Sequence, residues 1–468
     1  MLAMTVSDTI GIGRRPPVTG AGILPDLLDR LDFPALNGRK DMEPEKMRRR
    51  QETDVLVIGG GAIGICSAYY LRRKGIDVVV VDRGSVCSGC SAGNGGLIVP
   101  SYSIPLASPG KILKGLKWMF NPESPFSIKP RLDPELIRWM HLFQRSSRTS
   151  RFYAAIPVIR DLNLNGLALF EELNREADLD LRLAQQGFLS VFNTPRGLDE
   201  IRKEALLLQA FDIPFDIVGA DVVRDMTGGI RTMAGGGVFF PMDAHLDPRH
   251  FVLQVAASAR RMGVRIHEST EVMGFRTVGK RIVAVETTRG DIVARNVVMA
   301  GGSWSTRMLG SLGIRIPMQP AKGYSVTFTR TKTCPTIPVG LLEAKTVLTP
   351  LEETFRVAGT FTFAGFDAVY RQRRIKAVVR SMTAYFPDID PSSMNLVEIW
   401  QGFRPCSPDG LPYIGRTARV ENLIIATGHG MLGITQAPIS GKIVSTLATE
   451  DRPPLDIGPL NPDRFSRP

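Results

Sequence analysis

The stretch Asp54-Val-Leu-Val-Ile-Gly-Gly-Gly-Ala-Ile-Gly-Ile-Cys66, answered by Val78-Val-Val-Val-Asp82, decides the fold of this 468-residue chain. Val55–Ile58 and Val78–Val81 are unbroken apolar runs, the pattern of strands buried on both faces. Between them, Gly59-x-Gly61-x-x-Gly64 follows the first run directly and opens a helix expected over Ala62–Lys74, stopping at Gly75. Gly59 permits the tight turn, Gly61 lets a pyrophosphate approach the backbone, and Gly64 allows close helix–strand packing. The N–H groups that open the helix, around Ala62 and Ile63, face the phosphates with the positive end of the helix dipole. Asp82, with Arg83 beside it, lies roughly 20 residues on, where a carboxylate accepts from a ribose hydroxyl. A plain βαβ turn needs neither this spacing nor this acid, so the unit predicts adenine-dinucleotide binding.

Working outward, the chain exceeds one ordinary core, and two domains are expected. No apolar run approaches the ~20 residues of a membrane span, and the N-terminus lacks the apolar core of a signal peptide. Five cysteines in no regular framework suit a reducing compartment, so a cytoplasmic protein is expected. The net charge of +12 fits a solvated basic surface, attraction of an anionic substrate, or peripheral contact with the inner face of the cell membrane. No zinc spacing, RNA-binding fingerprint or long lysine block accompanies it, so neither a metal site nor nucleic-acid binding is expected.

Residues 1–50 mix prolines with scattered charges and read as a poorly ordered extension. Their acids, Asp26, Asp29, Asp32, Asp41, Glu43 and Glu45, argue against a transit peptide, and Met47 is a candidate start. After Asp82 comes a loop of small residues, Ser88-Gly-Cys-Ser-Ala-Gly-Asn-Gly-Gly96, able to approach a planar ring or a phosphate closely. Helical periodicity marks Glu135–Gln144 and Pro157–Leu173. Asp247-Pro248 opens another helix, and strands are expected at Val264–His267, Glu271–Phe275, Ile282–Glu286 and Ile292–Met299, the last ending in Ala300-Gly-Gly-Ser-Trp304. Shorter alternating runs, Tyr324–Thr329 and Phe355–Thr360, predict antiparallel strands interrupted by a helix at Arg371–Phe386. A strand at Asn422–Thr427, the turn Gly428-His-Gly-Met-Leu-Gly433 and a helix at Ile434–Ala448 close the pattern.

A nicotinamide enzyme usually completes its nucleotide domain in one stretch; three separated pieces point instead to a flavin. The expected fold is α/β. A Rossmann-like FAD-binding domain is assembled from segments 52–112, 236–312 and 400–450, beside an α+β substrate domain (113–235 and 313–399) with a mainly antiparallel sheet. Residues 451–468 form a C-terminal tail.

In these motifs the chain resembles the D-amino acid oxidase superfamily of FAD enzymes, and within it the bacterial D-amino acid dehydrogenases, with glycine and sarcosine oxidases as cousins. The resemblance spans 53–448. It rests on Val57-Ile-Gly-Gly-Gly-Ala-Ile-Gly64, Cys90-Ser-Ala-Gly-Asn-Gly-Gly96, Ala321-Lys-Gly-Tyr324, Gly402-Phe-Arg-Pro405, Pro408-Asp-Gly-Leu-Pro-Tyr-Ile-Gly415 and Gly428–Gly433. It implies non-covalent FAD held by Gly59, Gly61, Ala62, Ile63, Gly64, Asp82, Arg83, Ser91, Ala92, Asn94, Gly95 and Gly96. Val272, Ala300, Gly301 and Trp304 join these, as do Gly428, His429, Gly430, Leu432, Gly433, Ile434 and Thr435.

The implied reaction takes a D-amino acid or a small secondary amine, cyclic D-proline or D-hydroxyproline included. The α-hydrogen passes as hydride to the flavin, and the imine hydrolyses to a keto acid and ammonia; a cyclic substrate yields a cyclic imine. A dehydrogenase is favoured, with a quinone, a protein carrier or oxygen left open as acceptor. The alternative is a glycine- or sarcosine-type oxidase using oxygen. From other classes come an FAD domain in tRNA modification and a non-catalytic flavin subunit.

Arg404 is the candidate catalytic-site cation, because a planar guanidinium holds an amino acid carboxylate with two parallel bonds. The resemblance gives the Arg of Gly-x-Arg-Pro this role; the structural alternative is a pair with Asp409. Related glycine oxidases place a second carboxylate-binding Arg where this chain has Met431, so Tyr324 or Tyr102 is the candidate second anchor. His429 titrates near neutrality and is a candidate base, with positioning of the flavin edge as its other role. Cys87-x-x-Cys90 admits a redox disulfide but lacks a thioredoxin-like context, and reads rather as small residues in a flavin loop. Cys406 raises covalent flavin attachment, against which its spacing to the following Pro-Asp speaks.

Overall fold

A computed structural model describes residues 50–109 and 126–466. The extension expected over 1–50 lies outside the described residues except for Arg50, which begins the first strand.

The Val-rich runs form the middle of an eight-stranded sheet. Arg50–Ile58 lies between Gly290–Met299 and Val78–Val81 and runs parallel to both, with Arg265–His267 beyond. Side-chain alternation sorts one run onto two cores. Val55, Val57, Val78 and Val80 pack against the helices Ala62–Arg73, Pro248–Arg261 and Ala437–Ala448. Leu56, Ile58, Val79 and Val81 meet Ile282, Val285, Leu309 and Tyr413 on the other face.

Register then sets the site. Ile58 stands level with Val81 and Met299, so Gly59, Asp82 and Ala300 emerge together at the carboxyl ends of three strands. The outer edge of Gly290–Met299 is shared between two partners. An antiparallel ribbon of Val272–Val278 and Arg281–Thr287 takes its first half, and Leu423–Thr427 runs parallel to its last half. Gly428 is thereby brought to the same rim, and the three distant pieces of the chain meet.

A second, mainly antiparallel sheet has nine strands. Gln319–Thr329 lies between Leu396–Cys406 and Thr354–Phe363. Beyond the latter come Thr346–Pro350, Val339–Leu341, Phe188–Phe192, Gly236–Phe240 and Asp216–Gly219, with Phe126–Ile128 parallel to Thr354–Phe363. Gly236–Phe240 and Leu396–Cys406 pair in this sheet, although the boundaries expected at 236 and 400 group most of their residues with the nucleotide-binding part. The helix Gln372–Tyr385 covers its outer face, with Val378 and Met382 against Phe355 and Val357.

The helix expected from Pro157 begins earlier, running from Thr149 to Asn174 with Pro157 inside it. Proline removes the N–H that would bond the Tyr153 carbonyl, and Tyr153 is 48% exposed, so water can serve that carbonyl. After residue 450 the chain packs back on the body through Leu460, which is fully buried. Among the described residues no helix is long and apolar enough to cross a membrane.

Candidate active site

The strand ends of the first sheet and one face of the second enclose a cavity of about 1080 Å³. That lies at the top of the range of about 300–1,000 Å³ usual for small-molecule sites, so it suits a large ligand with a substrate beside it.

At one end the glycine turn does three different jobs. Gly59 has φ +119°, and a Cβ there would stand 2.5 Å from the Ala300 carbonyl oxygen. Gly64 does not line the cavity; a Cβ there would meet the Gly59 oxygen at 1.9 Å, so this glycine lets helix and turn close together. Gly61 does line it, and among the described residues only Ser91 Oγ, at 3.3 Å, is near its missing side chain. Ser91 Oγ accepts from the Ala62 N–H at 3.0 Å and caps the helix whose own N-cap is a glycine. Asp82 is held at its strand end by the N–H groups of Gly60 and Gly84, each at 2.7 Å. A pyrophosphate fits the space a Gly61 side chain would fill, before the first turn of the helix. Arg83 and Trp304, distant in sequence, meet with the guanidinium 4.3 Å from the ring centre.

The small-residue loop and the C-terminal turn form the next part of the wall. Arg356, an unforeseen member of the site, is 3% exposed and donates to the Ala92 and Asn94 carbonyls at 2.9 and 2.8 Å. Burial lowers its pKa. Its only signal in the sequence is a lone charge in the apolar run Phe355–Ala358. Asn94 accepts from the Gly96 N–H and donates to the Met431 carbonyl, linking loop and turn. The turn is anchored to the second sheet by the Gly430 N–H, which donates to Pro405 O at 2.9 Å. Thr435 bridges the Val99 N–H and Leu97 O behind the wall; with Gly64, Ala92 and Gly96 it supports the cavity without lining it. The remaining expected cofactor residues, Val272, Gly301, Leu432, Gly433 and Ile434 among them, do line it. His429 is buried beside Ser440 Oγ, 2.9 Å from Nε2, and burial pushes its pKa down to about 3. It is neutral at physiological pH and a weak base.

At the far end Arg404 lies deep in the protein, along the cavity wall. It donates from Nη1 to Thr360 O at 2.9 Å and sits 5.5 Å from the Phe361 ring centre. Among the described residues no carboxylate pairs with it, and burial lowers its pKa. Asp409, the structural alternative, is paired with Arg464 instead. Tyr324 does not line the cavity. Strand alternation turns it to the face opposite Arg404, where its hydroxyl lies 3.3 Å from Val369 O and 3.1 Å from the Arg371 N–H. Tyr102 does line it, edge-on to Phe188 at 5.5 Å. Met431 is 46% exposed at the rim.

Cys87, Cys90 and Cys406 are free thiols. Burial pushes them up to about 12, about 11 and about 12, so none is a ready thiolate. A buried acid also sits behind the wall. Asp243 accepts from the Ser101 N–H and from its hydroxyl, has no cation beside it among the described residues, and is pushed up by burial to about 7. Nothing in the sequence around Asp243 announces it.

Residues 54–447 match the FAD dependent oxidoreductase family, DAO. The chain belongs to this family. As a family member it is an FAD-dependent oxidoreductase, and the glycine turn, Asp82 and the cavity fit that cofactor. A D-amino acid dehydrogenase of Vibrio vulnificus is 34% identical over 403 residues, covering 85% of this chain and 96% of its own. Another, of Bradyrhizobium diazoefficiens, is 32% identical over 418 residues, covering 88% and 99%. Glycine oxidase from Geobacillus kaustophilus has the same fold, with TM-score 0.71 at 22% identity over 88% of this chain and 99% of its own. So does L-proline dehydrogenase from P. horikoshii, with TM-score 0.69 at 20% identity over 90% and 99%.

Proposed function

We propose that this DAO-family member dehydrogenates D-amino acids, cyclic ones included, and passes the electrons to a quinone or protein carrier. The observation that carries the substrate class is Arg404. A half-buried cation without a carboxylate partner among the described residues is costly, and an amino acid carboxylate entering the cavity would satisfy it with two parallel hydrogen bonds. Both curated relatives are named D-amino acid dehydrogenases, which supports the stereochemistry and the acceptor class.

In this reading Gly59, Gly61, Ala62 and Ile63 hold the pyrophosphate and Asp82 the ribose. The 88–96 loop and the turn from Gly428 hold the flavin end. FAD held there would supply the acceptor for the α-hydrogen as hydride. Arg404 orients the α-carbon, and neutral His429 positions rather than deprotonates. Tyr102, Phe188, Leu208 and Phe240 give the substrate side chain an apolar wall, with Tyr102 as candidate second anchor. The net charge of +12 supports peripheral contact with the inner membrane face, where a quinone would be reached.

The test is a substrate panel on purified yellow protein, read by flavin bleaching without oxygen and by dye reduction. D-amino acids should turn over without peroxide. Peroxide formation matching substrate consumption in air would favour a glycine- or sarcosine-type oxidase.

A further inference from the structure

The strand Thr354–Phe363 changes register against Gln319–Thr329 between the pairs Tyr324–Gly359 and Lys322–Thr362. Thr360 and Phe361 therefore stand together opposite the single residue Gly323, which is a β-bulge. At the bulge Thr360 has φ +66°, a left-handed conformation that a β-branched residue adopts only under strain. Its hydroxyl is buried with no hydrogen-bond partner among the described residues, a second unfavourable feature at the same position. The bulge turns the Thr360 carbonyl to accept from Arg404 Nη1 at 2.9 Å.

Gly323 supplies the other half. A Cβ there would lie 2.0 Å from Nη1, 2.5 Å from Cζ and 2.6 Å from Nη2 of Arg404. All three distances are far inside contact range, so the guanidinium lies flat on the bare Gly323 backbone. Phe361, the second bulge residue, faces the same cation.

We propose that Gly323 and Thr360 are positioning residues for Arg404. Gly323 sets the plane of the guanidinium and Thr360 O occupies one N–H, so that the remaining N–H groups are presented to the substrate carboxylate in a fixed orientation. Of five donors in a rigid fork, one is spent on the protein. The inference rests on Arg404 being the carboxylate anchor and adds what fixes its geometry. It also accounts for a strained threonine on a cavity wall: the strain is the consequence of aiming a carbonyl that an unbulged strand would give to its neighbour.

The test measures KM, kcat and the dissociation constant of an unreactive carboxylate, benzoate, by flavin absorbance in the holoenzyme. Gly323→Ala should weaken benzoate and raise KM by about 10- to 100-fold, the scale of a misplacement near 1 Å, while kcat changes little. Thr360→Pro cannot hold φ +66° and so re-aims the carbonyl; it should raise KM and the benzoate dissociation constant, and unchanged constants in folded Thr360→Pro would remove Thr360 from the positioning role. In an Arg404→Ala background Gly323→Ala should have no further effect, because the methyl group then occupies vacated space. That pair also guards against Gly323→Ala failing to fold alone. Unchanged benzoate affinity in folded Gly323→Ala, or an equal loss with and without Arg404, would overturn the positioning role. Unchanged affinity in Arg404→Ala itself would instead remove the anchor on which the inference rests.

Discussion

Asp409 gives both carboxylate oxygens to Arg464, at 2.8 and 3.0 Å, and none to Arg404. Arg464 comes from the last described turn and also lies 4.0 Å from the Tyr413 ring centre. The two arginines thus differ: one closes a structural pair, and the other has no carboxylate partner among the described residues. Arg464→Ala strands a largely buried carboxylate and should destabilise the protein by about 3–5 kcal/mol without changing KM. Denaturant unfolding of the holoenzyme checks the first part, and a raised KM in the surviving folded protein would contradict this difference.

Arg404→Ala removes a half-buried cation that has no carboxylate partner among the described residues. Its effect should be the reverse. KM for amino acids should rise by about 100-fold or more, the cost of an unpaired carboxylate of about 3 kcal/mol, while stability does not fall. The flavin spectrum should be unaltered. Steady-state kinetics with thermal unfolding read both, and a normal KM would move the anchor elsewhere.

The three turn glycines should fail in different ways. Gly61→Val fills the phosphate side of the cavity but among the described residues meets only Ser91 nearby, so the protein should fold and be colourless. Gly64→Ala brings a methyl group within 1.9 Å of the Gly59 oxygen, so soluble expression itself should suffer. Yellow colour retained in Gly61→Val would contradict the phosphate site.

The central strands were legible because burial on both faces leaves no polar position to obscure them, as in Val78–Val81. The first half of Gln319–Thr329 was not. Gln319 and Lys322 are 3% and 1% exposed, yet read as surface residues in isolation. Lys322 is satisfied by the carbonyls of Asp367 and Val369, some 45 residues away. Tyr324 was placed in the site by its motif and turned away by strand alternation that the motif does not record. Thr360 carries no local sign of a left-handed backbone; the cause lies across the sheet at Gly323. The glycine turn was legible because its spacing encodes it locally, whereas the cavity wall around Arg404 depends on pairings between distant strands.

Asp243 gives the protein a pH dependence of known sign. Burial raises it from 3.8 to about 7, opposed by the hydrogen bonds from Ser101. Between those values the unfolded chain has released this proton and the folded chain still holds it. Stability should therefore fall as pH rises from about 4 to about 7, by about 1.4 kcal/mol per pH unit from this group. Asp243→Asn should flatten that slope in melting curves across the window. An unchanged slope would mean that the carboxyl is ionised in the folded protein.

The central claim is that Arg404 and bound flavin together act on the α-carbon of a D-amino acid. Anaerobic mixing of the yellow holoenzyme with matched D- and L-amino acids, followed at the flavin absorbance, tests it most directly. Bleaching by D-amino acids, D-proline included, that slows strongly in Arg404→Ala at subsaturating substrate is the predicted result. Full yellow colour with every D-amino acid, or bleaching by L-enantiomers alone, would contradict it.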